Sequence, residues 1–548
     1  MQKKPILAEM NKTSKKILYL FLLLLIIILA VSFGTRPIIK KIISEKVENV
    51  RLGGIYKISF KTAYFNIFQM GITVKQLKIT PDSTGDCAKL IKHQKYLAEV
   101  KIKKVNINHI DVFRFMKDKK ISIKDIKIRK PLVQLYKNNH YSAAKTPNKN
   151  NDNSLSVKEI QLNDISINNL KLNVYIDDDK VVDLMLDDVD LELVDPLIDF
   201  AKLKTPLKAI SVSDILFSVS DILYKDKKGL YETSLESLEY KHKSNEMILE
   251  DFHLKPLYNN IDFAKQFKYQ SNRYDISIKD ITLRNIDFDK LANNKIIAVN
   301  QLEINEIFFN AYRNKNYPLN TNKFPKLPQA ALRSIKQKFE INEIKINSSD
   351  IIYMETAENA DKAGKIGFTD LGITIKNIGN TKAWQKKKKL TANAHTLVAG
   401  KGKLNVSFNF PLNSNTFYIS GNLGQMNMTA FNTITEPNAN IKIQSGHIQK
   451  MNFSAHFNNQ VSGGEMKLYY DDLSFSIFKE NSKSGKKRKR KLLNFVAKSF
   501  IIADANPNKK GEFRTAEMAF ERDKNKGLFA YIWKTLFSGF KDTIRHKK

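Results

Sequence analysis

From residue 55 to about residue 478, apolar and polar residues alternate. Ile58-Ser-Phe60, Ile72-Thr-Val74, Leu77-Lys-Ile79, Val105-Asn-Ile107, Ile165-Ser-Ile167, Leu170-Lys-Leu172, Leu302-Glu-Ile304 and Ile373-Thr-Ile375 all follow the pattern. A two-residue period gives each β-strand one apolar face and one wet face. The hexapeptide Ile-Ser-Ile-Lys-Asp-Ile occurs at 121–126 and again at 276–281, with looser copies at 155–160, 210–215 and 339–344. From the second copy onward the spacing is roughly 55–66 residues, slightly longer than the usual period of a repeat array. Most copies are followed by a second short apolar stretch and a tyrosine: Tyr136, Tyr175, Tyr224 and Tyr353. Residues 55–365 therefore read as a repeating β array.

Other periods flank it. Residues 17–33, ILYLFLLLLIIILAVSF, carry no charge and are just long enough to span a bilayer. Lys3, Lys4, Lys12, Lys15 and Lys16 precede them, which suits a cytoplasmic segment 1–16, although Arg36, Lys40, Lys41, Lys46 and Arg51 follow. The run is longer than an ordinary signal-peptide core, so the expectation is an uncleaved anchor. A signal peptide cleaved near Ala30 and Ser32 is the rival. Residues 38–52 have apolar positions at helical spacing and end at Gly53-Gly54. Residues 137–154 and 313–327 read as loops, and 328–338 as a short helix. Residues 366–480 have longer strands and regular glycines and read as a distinct β subdomain. In the tail, 484–548, a basic run Lys486, Lys487, Arg488, Lys489, Arg490 and Lys491 precedes a helix predicted over 528–544. Phe529, Trp533, Leu536, Phe537, Phe540 and Ile544 form one stripe of that helix, with Lys534, Lys541 and Arg545 along its flank. Aromatic residues beside lysines suit a helix lying on an anionic membrane; a helix packed on a core would have the same stripe.

Composition narrows the partners. With 91 Lys and Arg against 56 Asp and Glu, the chain carries a formal charge of +35. Such an excess favours an anionic partner, although lysines spread over wet strand faces need none. Cys87 is the only cysteine, so an intrachain disulfide and a multi-cysteine metal site are both excluded.

The C-terminal block reads Phe408-Asn-Phe410-Pro411-Leu412, then Phe417-Tyr-Ile-Ser-Gly421-Asn-Leu423, then Ser445-Gly446-His-Ile448, then Gly464-Glu-Met466-Lys-Leu468-Tyr-Tyr470-Asp-Asp-Leu473. With the N-terminal anchor and the strand array, this block resembles the AsmA-like proteins, bacterial relatives of bridge-like lipid-transfer proteins. The resemblance is specific over about 366–478. It implies a mainly β fold, an elongated curved antiparallel β-groove with an N-terminal transmembrane helix and a C-terminal amphipathic helix. It also implies a single-pass inner-membrane protein with its bulk in the periplasm, serving envelope lipid homeostasis or outer-membrane assembly. This chain departs from the long bridging members in its shorter length and its basic tail.

An open sheet with one apolar face must bury that face or offer it to something apolar. Phospholipid or glycolipid acyl chains suit it, as would burial of two such faces on each other in a sandwich. The expected partners are those acyl chains, a membrane surface and other envelope proteins, and no nucleic acid. Nine scattered histidines without HExxH spacing, a Gly400-Lys-Gly402-Lys lacking phosphate-loop spacing, and Asp177-Asp178-Asp179 in a solvated turn give no catalytic, metal or cofactor signature. The reading is a non-enzymatic lipid carrier. Its rivals are a structural scaffold of the envelope and an enzyme whose site is assembled from distant residues.

Overall fold

The structure, a computed structural model, describes residues 37–38, 40–41, 43–45, 51–52, 55–111, 121–142, 159–175, 182–199, 210–387, 389–477 and 502–545. The expected anchor at 17–33 and the basic run 486–491 lie outside them. Of the helix expected at 38–52, residues 38, 40–41 and 43–45 are helical, but Arg51–Leu52 is a short strand, drawn into antiparallel pairing with Tyr56–Ser59; the rest lies outside the described residues. Among the described residues no helix is long and apolar enough to cross a membrane. The fold is mainly β, and the strands join open, mixed sheet. Contacts divide the chain into two compact units, one of residues 1–224 and 237–243, the other of 225–236 and 244–548.

The expected antiparallel sheet is corrected in two places. Ile121–Lys137 pairs parallel with Glu159–Tyr175, and Ile296–Asn314 pairs parallel with Lys338–Thr356. A parallel partner must start from the same end, so the chain needs a crossover of a dozen residues or more. Of the segments expected as loops, 313–327 falls in the second crossover, except that Arg313 and Asn314 still belong to the strand; of 137–154, Lys137 ends a strand and residues 143–154 lie outside the described residues. The second crossover also holds the expected short helix, observed as Pro328–Ser334 with proline in its first turn. Period two did not disclose the short helices Asn260–Lys265 and Phe288–Asn294. Each is started by a side chain that caps free amides: Asn259 accepts from the Ile261 and Asp262 amides, and Asp287 from the Lys290 amide.

In the first unit, pairing lines up apolar residues across successive strands. One row runs Ile72, Ile107, Ile126, Ile165, Leu193 and Ile215; the next runs Val74, Val105, Ile128, Ile167, Leu191 and Phe217. Every residue of both rows is half-buried, neither packed away nor fully in water. The second unit carries a longer row: Met247, Leu283, Leu302, Ile344, Ile375, Ala392, Phe408, Ile419, Ala455, Gly464 and Met518. Alternation thus becomes a continuous apolar face in each unit, because cross-strand neighbours keep the same side.

The strands are not uniform. Many contain one residue with left-handed backbone near the middle: Gln76, Lys130, Asn169, Asp188 and Asp221 in the first unit, Asp251, Glu306, Ser348 and Asp370 in the second. Register shifts accompany several of them, as around Ser349 and between Thr369 and Gly372. Such bulges bend the strand and increase its twist. Asp and Asn are frequent among them because they tolerate this conformation best after glycine.

Candidate functional site

The end of the second unit curls into a trough. In pairing order its strands are Lys338–Thr356, Gly364–Gly379, Lys389–Val398, Gly402–Pro411, Phe417–Leu423, Ile441–Phe457, Val461–Ile477 and Ala516–Glu521. The outer two are seven steps apart, about 34 Å along the sheet at the usual strand spacing. Yet the helix Leu528–Ile544, seated on Ala516–Glu521, brings the Phe529 ring within 6.0 Å of the Tyr353 ring on Lys338–Thr356. A helix is only about 10–12 Å thick with its side chains. The sheet must therefore bend round until Lys338–Thr356 and the edge strand Ala516–Glu521 approach, with the helix between them.

A cavity of about 470 Å³ lies inside the bend. Its floor includes Phe368, Val406, Phe408, Phe453, Met466 and Leu468, from four of these strands. Phe408 belongs to the long apolar row of the second unit, so the cavity is the covered end of that face. The helix Asn432–Ala439 packs against both Gly364–Gly379 and Ile441–Phe457, and Phe431 and Ile434 add to the lining. Beside it, rings stack in series: Phe410 on Phe417 at 5.2 Å, Phe417 on Phe457 at 4.6 Å, Phe457 edge-on to Tyr531 at 5.1 Å. These rings belong to the main core cluster, where Phe417 has no exposed surface.

The terminal helix forms where its period predicts. Its docking face, however, is not the aromatic stripe. Tyr531, Thr535, Gly539 and Thr543 are buried against the sheet. Gly539 is required there: a Cβ would stand 2.6 Å from Met518 Cγ and 3.2 Å from Met466 Cβ. Small residues let the helix approach closely enough to close the sheet edge. The Ala519 amide donates to Ser538 Oγ at 3.1 Å, and the Glu517 amide to Asp542 Oδ2 at 3.3 Å. The i, i+4 rise of a helix, about 6 Å, nearly matches two residues of strand. Arg514 Nε donates to the Thr543 carbonyl at 3.1 Å and the Ala503 amide to the Ile544 carbonyl at 3.0 Å, occupying carbonyls left open at the helix end.

The predicted stripe instead faces the cavity. Phe529, Trp533, Leu536, Phe537, Phe540 and Ile544 all line it, with Lys541. Phe529 and Trp533 also reach solvent, at 56% and 47% exposure. Lys541 and Lys534 flank one ring, their ammonium nitrogens 5.3 and 5.9 Å from the Phe537 centroid. Arg545 follows the helix and is exposed. Burial pushes the Lys534 ammonium below the usual lysine range, and repulsion from Lys526, Lys315 and Lys541 adds to the shift. Tyr353 is driven the other way, its hydroxyl held protonated by burial and by Glu355, which accepts its hydrogen bond at 2.5 Å. The strand residues of the cavity were visible in sequence only as an alternating pattern, without a sign that a helix would cover them.

No family model matches the sequence, and no curated protein matches it.

Proposed function

We propose that this chain is an envelope protein of AsmA-like type, anchored by residues 17–33, that holds lipid acyl chains on its apolar strand faces. It uses no catalytic residue in this reading. The observation that supports it is the set of uninterrupted apolar rows. In the first unit they stay half-buried across successive strands, and in the second they run into an apolar cavity of ligand size. A sandwich core would bury both rows completely. Burying about ten methylenes would gain ~8 kcal/mol. Phe529 and Trp533, beside lysines at the mouth, suit a membrane surface as the source or destination of that lipid.

The test is lipid extraction and mass spectrometry on the full chain, purified in a detergent that does not strip bound lipid. Stoichiometric lipid, lost when Val406 and Phe408 are both replaced by Asp but kept when the wet-face Ser407 and Asn409 are, would support the proposal. A folded, lipid-free chain would overturn it in favour of a scaffold.

A further inference from the structure

We propose that the cavity mouth selects an acidic phospholipid, its phosphate held between Lys534 and Lys541. The inference rests on the lipid-binding reading above and adds the headgroup class. Lys541 lines the cavity, and Lys534 lies beside the Phe537 ring, which lines it too, so both ammonium groups stand near one ring of the cavity wall.

Lys534 differs from the lysines around it. Lys315 is paired with Glu355 at 2.6 Å and Lys526 with Asp523 at 2.9 Å. Among the described residues no carboxylate lies within ion-pair distance of Lys534, whose ammonium sits over the Phe537 ring. A half-buried ammonium among Lys315, Lys526 and Lys541, with Glu355 as the acidic neighbour, is costly unless an anion completes it. Burial first, and then repulsion from these lysines, depresses its proton affinity. An ammonium group is an effective phosphate partner as a point charge, and a phosphate offers oxygens to two lysines at once. A zwitterionic headgroup would bring a further cation beside Lys534. A neutral headgroup would leave the lysines as they are.

The experiment uses the full chain with Trp384→Phe, which leaves Trp533 as the sole tryptophan. Short-chain lipids brominated on the acyl chain are titrated below their micelle concentration. Bromine quenches only an adjacent indole, so adsorption of anionic lipid elsewhere on this basic protein does not register. Brominated phosphatidylglycerol should bind about ten-fold more tightly than brominated phosphatidylcholine. Lys534→Met and Lys541→Met should each reduce that preference while quenching by phosphatidylcholine persists, which also shows that the variants fold. Equal affinity for the two lipids in the parent chain would overturn the headgroup inference and leave the lipid reading standing. Tighter binding of a brominated fatty acid than of phosphatidylglycerol would overturn it in favour of a carboxylate ligand. Quenching by no lipid would overturn the lipid reading itself.

Discussion

Replacing Gly539 tests how the terminal helix is seated. In Gly539→Ala the new Cβ would lie 2.6 Å from Met518 Cγ and 3.2 Å from Met466 Cβ. Both methionines are almost fully buried, at 2% and 1% exposure, so neither can swing into water. Overpacking of this kind costs ~1–3 kcal/mol. Alanine regains up to ~1 kcal/mol of helix propensity over glycine. The net loss for alanine is therefore ~0–2 kcal/mol, and Gly539→Leu, which adds three more carbons for no propensity gain beyond alanine's, should lose ~3 kcal/mol or more. A global melting curve is a poor readout for a chain of two units. Hydrogen exchange by mass spectrometry resolves the segment directly. Peptides covering 528–544 and 516–521 should exchange faster in the leucine variant, with peptides from 71–137 unchanged. Unaltered protection of 528–544 in Gly539→Leu would refute the docking face assigned to Tyr531, Thr535, Gly539 and Thr543.

Three further outcomes follow from the same geometry. Phe417→Ala should destabilise the C-terminal β region by ~3–5 kcal/mol, since it empties the middle of the ring stack; loss of less than ~1 kcal/mol in denaturant titration would contradict the stack's role. Ser538→Ala combined with Asp542→Ala should speed exchange of the Ala519 and Glu517 amides and cost ~1 kcal/mol per lost bond, with self-association through the bared edge as the visible consequence; unchanged exchange at both amides would exclude edge capping. Lys534→Met should raise stability at pH 7. The Lys534 pKa is depressed on folding, so the unfolded chain binds the proton more tightly and the native chain carries a penalty. That penalty is complete below the depressed pKa and disappears as pH rises toward the unfolded value near ~10.4. The advantage of the variant should therefore shrink with rising pH, and an advantage that grew would refute the sign.

Much of the strand architecture was legible because alternation and pairing impose the same side-chain order. The repeated hexapeptide marks this well. Ile276, Ile278 and Ile281 pair with Phe309, Ile307 and Ile304, apolar on apolar. The parallel junctions were not legible: a loop of suitable length is compatible with either direction, and only long-range pairing decides. Nor were the mid-strand bulges, since a single Asp or Asn in a polar position looks like any other wet-face residue. The terminal helix shows a different limit. Periodicity located it and grouped Phe529, Trp533, Leu536, Phe537 and Phe540 correctly on one side. It could not tell that close approach to the sheet would select the Thr535, Gly539 and Thr543 face for docking, leaving the larger rings to bound a cavity. The strand positions that complete that cavity become neighbours through long-range pairing, as Val406 and Phe453 do on either side of Gly421, and the curl then brings them under the helix.

The apolar faces are most directly tested by site-specific photocrosslinking in cells. A photoreactive phenylalanine analogue would be placed at Ile128 or Phe408, on the apolar rows, and at Lys127 or Ser407, exposed on the opposite side of the same strands. Lipid adducts at Ile128 and Phe408 but not at Lys127 and Ser407 are the predicted result. Equal labelling of both faces, or none at either apolar position in folded protein, would contradict the account.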